Sequence, residues 1–136
     1  MSTKMFLNLP VKDLPKSIEF FTKLGYKFNP QFTDESATCM IVSESNFVML
    51  LAEGRFQEFT PKAIADATKT TEMLIGLSCE SRDEVREIVA KALAAGGTKY
   101  ADEKDYGFML QHGYQDLDGH IWELFYMDPA HVQPQA

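Results

Sequence analysis

The feature that most constrains this chain is a repeat. Met5-Phe6-Leu7-Asn8-Leu9 returns as Met73-Leu74-Ile75-Gly76-Leu77, an offset of 68 (73 − 5), and each run is followed by a capped helix ending at glycine. Internal self-similarity is read before any motif, and two copies imply a paired architecture instead of a solenoid. Val48-Met49-Leu50-Leu51 and Ile121-Trp122-Glu123-Leu124 close the copies. The pattern predicts an α+β chain: two tandem βαβββ modules forming a cupped, half-open barrel sheet with helices on the outer face. One domain spans 1–136, its modules about 1–53 and 72–128, joined by connector 54–71.

Local signals place the elements. Met5 to Leu9 reads as a strand ended by Pro10, beyond which it cannot be extended as a central strand. Asp13 caps a helix from Leu14, Pro15 is tolerated in its first turn, and Gly25 supplies the left-handed stop. Leu14, Ile18 and Phe21 form its apolar stripe. Tyr26–Phe32 reads as an edge strand interrupted by Pro30, and Ala37–Val42 and Phe47–Leu51 as the strands after it. Thr60-Pro61 marks a short helix in the connector. Glu72–Cys79 is a strand, and Ser81 with Glu84 forms a capping box before a helix ended by Gly96-Gly97. Its stripe is Val85, Ile88, Ala92 and Ala95, widened by Val89 and Leu93. A short strand at Thr98–Ala101 and a longer one at Gly107–Gln115 lead to Asp118-Gly119, a two-residue hairpin signal, and the last strand.

Alternation puts His120, Trp122, Leu124 and Tyr126 on one face of that strand, and Ile121, Glu123 and Phe125 on the other. Glu123 therefore stands among apolar neighbours. It either reaches water at the strand end or is met by a partner or ligand, because an unpaired buried carboxylate costs several kcal/mol. His120 has the opposite parity and reads as structural. His131 lies in a proline-containing tail where exposure is expected. His112 precedes Gly113, and a glycine inside a strand marks a bulge or a close approach that redirects its neighbour. Phe6 and Phe125, with Tyr106 or Tyr114, are candidate aromatic linings of an apolar pocket.

At 136 residues the chain can bury about two thirds of its unfolded surface, enough for a core without staples. Twenty acidic against 13 basic residues, a formal charge of −7, exclude nucleic acid as the expected partner. Cys39 and Cys79 sit in separate apolar runs and read as reduced structural thiols. Neither a signal peptide nor a membrane span is visible, so a cytoplasmic location is expected.

The two modules, the Asn8-Leu9-Pro10-Val11-Lys12-Asp13-Leu14 opening with its Leu24-Gly25 helix end, and the Asp116-Leu117-Asp118-Gly119-His120-Ile121-Trp122-Glu123-Leu124 close resemble the vicinal oxygen chelate superfamily. That group includes glyoxalase I, extradiol dioxygenases, and fosfomycin and bleomycin resistance proteins; the sequence is most similar to the bacterial branch of predicted lactoylglutathione lyases. The resemblance implies metal ligands on the first and last strand of each module. Its positions fall on Phe6, Leu50, Leu74 and Glu123, of which only Glu123 matches a family ligand. A catalytic transition metal normally needs three or more N, O or S ligands. The expectation is thus a small-organic-ligand binder without a catalytic metal, with Phe6, Asn8, Leu50, Leu74, His112, Tyr114 and Phe125 lining the site and Glu123 its candidate catalytic group. The alternatives are a glyoxalase-like lyase or isomerase using Glu123 as base or as ligand to Ni, Zn or Fe, and a dimerisation module with a vestigial cavity. A homodimer is the expected assembly.

Overall fold

The computed structural model describes residues 3–131, the side chain of His131 excepted. The chain divides into two compact units, one ending at Asp66 and the other beginning at Ala67.

In the first unit the order is β1 (Met5–Val11), α1 (Leu14–Lys23), β2 (Lys27–Asn29), β3 (Ala37–Ile41) and β4 (Asn46–Ala52), followed by one short helix, α2 (Glu53–Phe56). The sheet runs β1-β4-β3-β2. Parallel pairing of β1 with β4 is what the intervening helix permits, and the remaining pairs are antiparallel. The Asp13 side chain accepts from the Lys16 amide at 3.1 Å to start α1, and Gly25, with φ of 104°, stops it. The buried stripe of α1 is Leu14, Ser17, Phe20 and Phe21, so Ser17 takes the place expected of Ile18. The helix packs on β4.

Two boundaries differ from expectation for physical reasons. Strand β1 continues through Pro10 to Val11 because it is the sheet edge, where a missing N–H breaks no ladder. The connector helix lies at Glu53–Phe56 and runs into a 3₁₀ turn at Gln57–Phe59, ahead of the Thr60-Pro61 signal. Pro30 likewise ends β2 early and opens a 3₁₀ turn.

The second unit repeats the plan with β5 (Leu74–Ser78), α3 (Arg82–Ala94), β6 (Thr98–Lys99), β7 (Lys104–Asp105), β8 (Met109–Gln115) and β9 (Ile121–Met127). Its sheet runs β5-β9-β8-β6, with β7 also on β8, and β5 is parallel to β9. Ser81 Oγ accepts from the Glu84 amide at 3.0 Å while the Glu84 carboxylate takes the Glu80 amide at 3.0 Å, a capping box shifted by one residue. Val85, Val89 and Ala92 turn inward, and α3 packs on β8 and β9.

The turn between β8 and β9 is built on Asp116 and is longer than the two residues expected. No non-glycine residue among those described has positive φ; Gly119 alone in this turn does, at 90°. Gly119 N–H donates to the Asp116 carbonyl and the Asp116 N–H to the His120 carbonyl. The buried Asp116 carboxylate also accepts from the Asp118 and His120 amides and from the Trp122 indole. Burial pushes the Asp116 carboxyl above its usual range, against the lowering effect of these neighbours.

Candidate functional site

Register decides which side chains face away from the helices. In the first unit Leu9 pairs with Leu50 and Leu7 with Val48; Leu9 and Leu50 are wholly buried. Phe6 pairs with Phe47 and Asn8 with Met49 on the other face. The two phenylalanine rings stack at 4.9 Å with 16° between planes, and Phe6 remains 51% exposed. The expectation that Leu50 shares the face of Phe6 is therefore corrected: Met49 holds that place. The slip arises because one residue of offset inverts a strand.

In the second unit Leu74 pairs with Ile121, Gly76 with Glu123 and Ser78 with Phe125. Leu74 is exposed and Phe125 half-buried, its ring lying 3.8 Å from where a Gly76 Cβ would stand. Gly113 of β8 pairs with Glu123, so Gly113 and Gln111 share its face. Tyr114 is on the opposite face. It is wholly buried and stacks on Trp122 at 6.3 Å, 7° from parallel. Tyr114 is thus a core residue, a correction that follows from its odd spacing from Gly113. His120 is buried too, its Nδ1 3.0 Å from Glu72 Oε1, as its parity implied.

Glu123 is half-buried. The Gln111 side-chain amide donates to its Oε2, and among the described residues Glu123 makes no ion pair. Beside it lies a small cavity of about 60 Å³, bounded by Tyr100, Asp102, Lys104 and Gln111 around Gly113 and Glu123. The cavity exists because the strand pairing with β8 is split: β6 pairs at Lys99↔Tyr114 and β7 at Lys104↔Gln111. Residues 100–103 arch away opposite His112 and Gly113. His112 consequently reaches the cavity although it pairs with Leu124 on the helix-facing side. Its Nδ1 is buried without a hydrogen-bond partner among the described residues.

Ion pairs fasten the arch. Arg86 holds Glu103 at 2.8 Å and Arg82 holds Asp105 at 3.1 Å, and these guanidinium partners keep both carboxyls below their usual range, helped at Asp105 first by the Gly107 amide. Asp102 is lowered by its hydrogen bond with Lys99. Sequence reasoning missed Gln111 and Tyr100. The available signal was parity: Gln111 lies two positions before Gly113, on the same face.

Comparison with known proteins agrees with the repeat and the topology. Residues 3–43 match the bleomycin resistance protein-like N-terminal family. A hypothetical protein from S. aureus is similar over 93% of this chain and 95% of its own, at 29% identity and a TM-score of 0.77. The N-terminal match and the shared fold support the vicinal oxygen chelate superfamily for this chain. Its fold is also that of a glyoxalase-related enzyme from Fulvimarina pelagi, 20% identical over 93% and 88% of the two chains with a TM-score of 0.76. A genomically encoded fosfomycin resistance protein from Listeria monocytogenes shares the fold at 18% identity over 96% and 97%, with a TM-score of 0.67. No curated protein matches significantly in sequence.

Of the positions that the resemblance marks for metal ligands, Phe6, Leu74 and Glu123 lie on the helix-free faces of their units, and Met49 stands there in place of Leu50. Phenyl and aliphatic side chains donate no lone pair, and a thioether is a weak, soft donor. Among the described residues no three His, Cys, Asp or Glu side chains converge. No described helix is long and apolar enough to cross a membrane.

Proposed function

We propose that this chain binds a small organic molecule on the helix-free face of its sheets, without a catalytic metal, and works as a homodimer in the cytoplasm. One observation carries the proposal: Phe6 and Leu74 stand where the resemblance expects metal ligands, and the third such place holds Leu50 or, by register, Met49, so that none of the three is a nitrogen or oxygen donor. In the second unit the exposed Leu74 and the Phe125 ring flank Glu123, an apolar surface with one polar anchor, the usual composition of small-molecule sites; in the first unit the stacked pair Phe6–Phe47 supplies an apolar patch of its own.

The test is metal analysis of the purified chain before and after incubation with Ni, Zn, Fe and Mn. The expected result is less than a tenth of an equivalent of any ion, a rough bound set by the single carboxylate. One tightly held ion per chain overturns the proposal. Sedimentation checks the dimer.

A second reading, a glyoxalase-like lyase or isomerase with Glu123 as base, is favoured by the free Oε1 of Glu123 beside a cavity. Proton abstraction next to a carbonyl requires Glu123 within reach of the carbon acid and a stabilised oxyanion. Turnover of a glutathione hemithioacetal that disappears in Glu123→Gln, with folding intact, selects this reading. If neither metals nor small molecules alter the melting temperature, a dimerisation module with a vestigial cavity replaces both.

A further inference from the structure

The Glu123 cavity identifies the chemistry of one end of the ligand, an inference that rests on the binding role proposed above. Gln111 occupies Glu123 Oε2, while Oε1 has no hydrogen-bond partner among the described residues. The floor is Gly113. A Cβ there would stand 2.7 Å from the Trp122 carbonyl oxygen and 3.4 Å from Tyr100 Cδ2, so the Tyr100 ring closes down on the floor and no side chain fills it. Around that space are the Glu123 and Asp102 carboxylates, the Lys104 ammonium, the Tyr100 and His112 rings and the Gln111 amide, which is turned so that its N–H meets Glu123.

The charged groups near the space leave Glu123 as the carboxylate that makes no ion pair. Glu123 and Asp102 line it against Lys104, Asp102 is engaged by Lys99, and Lys104 forms no ion pair with Glu123. His112 and the Tyr100 hydroxyl are the other titratable groups of the lining. A half-buried carboxylate that makes no ion pair gains more from a positive donor than from a neutral one, and an aromatic ring beside it adds to the preference. A volume of about 60 Å³ is a few waters' worth, matching a charged head and not a whole ligand.

We infer that this cavity takes the protonated amine of a small organic cation, bonded to Glu123 Oε1, and that Gln111 is a positioning residue. By occupying Oε2 it fixes the carboxylate rotamer and leaves Oε1 toward the opening. Leu74 and Phe125, on the same face, receive the carbon part of the ligand.

The experiment follows n-butylammonium, n-butanol and butyrate binding to the full chain by amide and side-chain NMR shifts. The expected result is saturable shifts at Gly113 and the Gln111 amide with butylammonium, about tenfold or more weaker in Glu123→Gln. Lys104→Met, which removes a like charge, tightens the ammonium. Gln111→Ala reduces the preference for ammonium over alcohol with little change in melting temperature, which a merely structural role would not do. Equal binding of butanol, or unchanged binding in a folded Glu123→Gln, overturns the inference. If butylammonium fails while neutral aromatic fragments shift Leu74 and Phe125, the cation assignment falls and the binding role stands; if no organic probe shifts either group, both fall.

Discussion

Replacing Asp116 by asparagine tests the account of the turn that presents β9. Asp116 Oδ1 accepts from the Asp118 and His120 amides at 2.9 and 3.0 Å, and Oδ2 accepts from the Trp122 indole at 2.9 Å. Asparagine has nearly the same shape but only one acceptor oxygen. With that oxygen kept on the two amides, its NH₂ group meets the indole N–H, leaving a wholly buried donor facing another donor. An unsatisfied buried donor costs about 1–3 kcal/mol, and the lost bond was to a carboxylate, so Asp116→Asn should destabilise by about 2–3 kcal/mol. Asp116→Ala, which strips all three bonds, should cost about 3–5 kcal/mol by the same reasoning.

Urea titration followed by fluorescence of Trp122, the sole tryptophan, reads the unit concerned directly. Trp122→Phe in each background completes a double-mutant cycle, expected to show coupling of roughly 1–3 kcal/mol between residues in contact. The pH dependence adds a sign. Burial raises the Asp116 carboxyl above its ordinary 3.8, so between 3.8 and the folded value the native state holds a proton that the unfolded chain has released. Stability from this group therefore falls as pH rises through that window, and Asp116→Asn should remove the slope. A loss under about 0.5 kcal/mol in Asp116→Asn, or strict additivity with Trp122→Phe, would refute the reasoning.

Three further outcomes are expected. Gly119→Ala places a Cβ 2.8 Å from the Ala67 carbonyl group and 2.9 Å from the Thr68 amide at φ of 90°, so it should lower the melting temperature by several degrees, at a cost of roughly 2 kcal/mol or more. Leu50→Ala should cost about 2–5 kcal/mol in urea titration, whereas Phe6→Ala, half in solvent, should cost less than half as much and weaken ligand binding; equal losses would contradict the face assignment. Cys79, whose thiol is pushed up to about 12 first by burial, should alkylate with iodoacetamide at pH 8 on the order of a thousandfold more slowly than in the unfolded chain, since 12 − 9 is three pH units of thiolate population.

Much of the fold was legible because its signals are local. Asp13 with Gly25, and Ser81 with Glu84 and Gly96, bracket the two long helices by bonds within a few residues. The repeat at offset 68 made the second unit readable from the first. Pro10 misled because the rule it obeys depends on whether a strand is central or edge, a property of the sheet. Leu50 misled because Val48 to Ala52 is apolar at every position, so composition carries no parity and only pairing with β1 shows Met49 beside Asn8. His112 shows the limit of the opposite inference: Gly113 suggested a bulge or a close approach by a ligand, and the groups nearest to it are the Trp122 carbonyl and the Tyr100 ring of the chain itself.

By itself, the sequence determined the module plan and the caps, since these depend on residue types and near neighbours. Tertiary structure decided which half of each apolar strand faces the helices, that the β6–β7 split opens a cavity over Gly113, and that Gln111 meets Glu123 twelve residues away. Those depend on register between strands distant along the chain, and a shift of one residue in register exchanges every side chain between core and binding face.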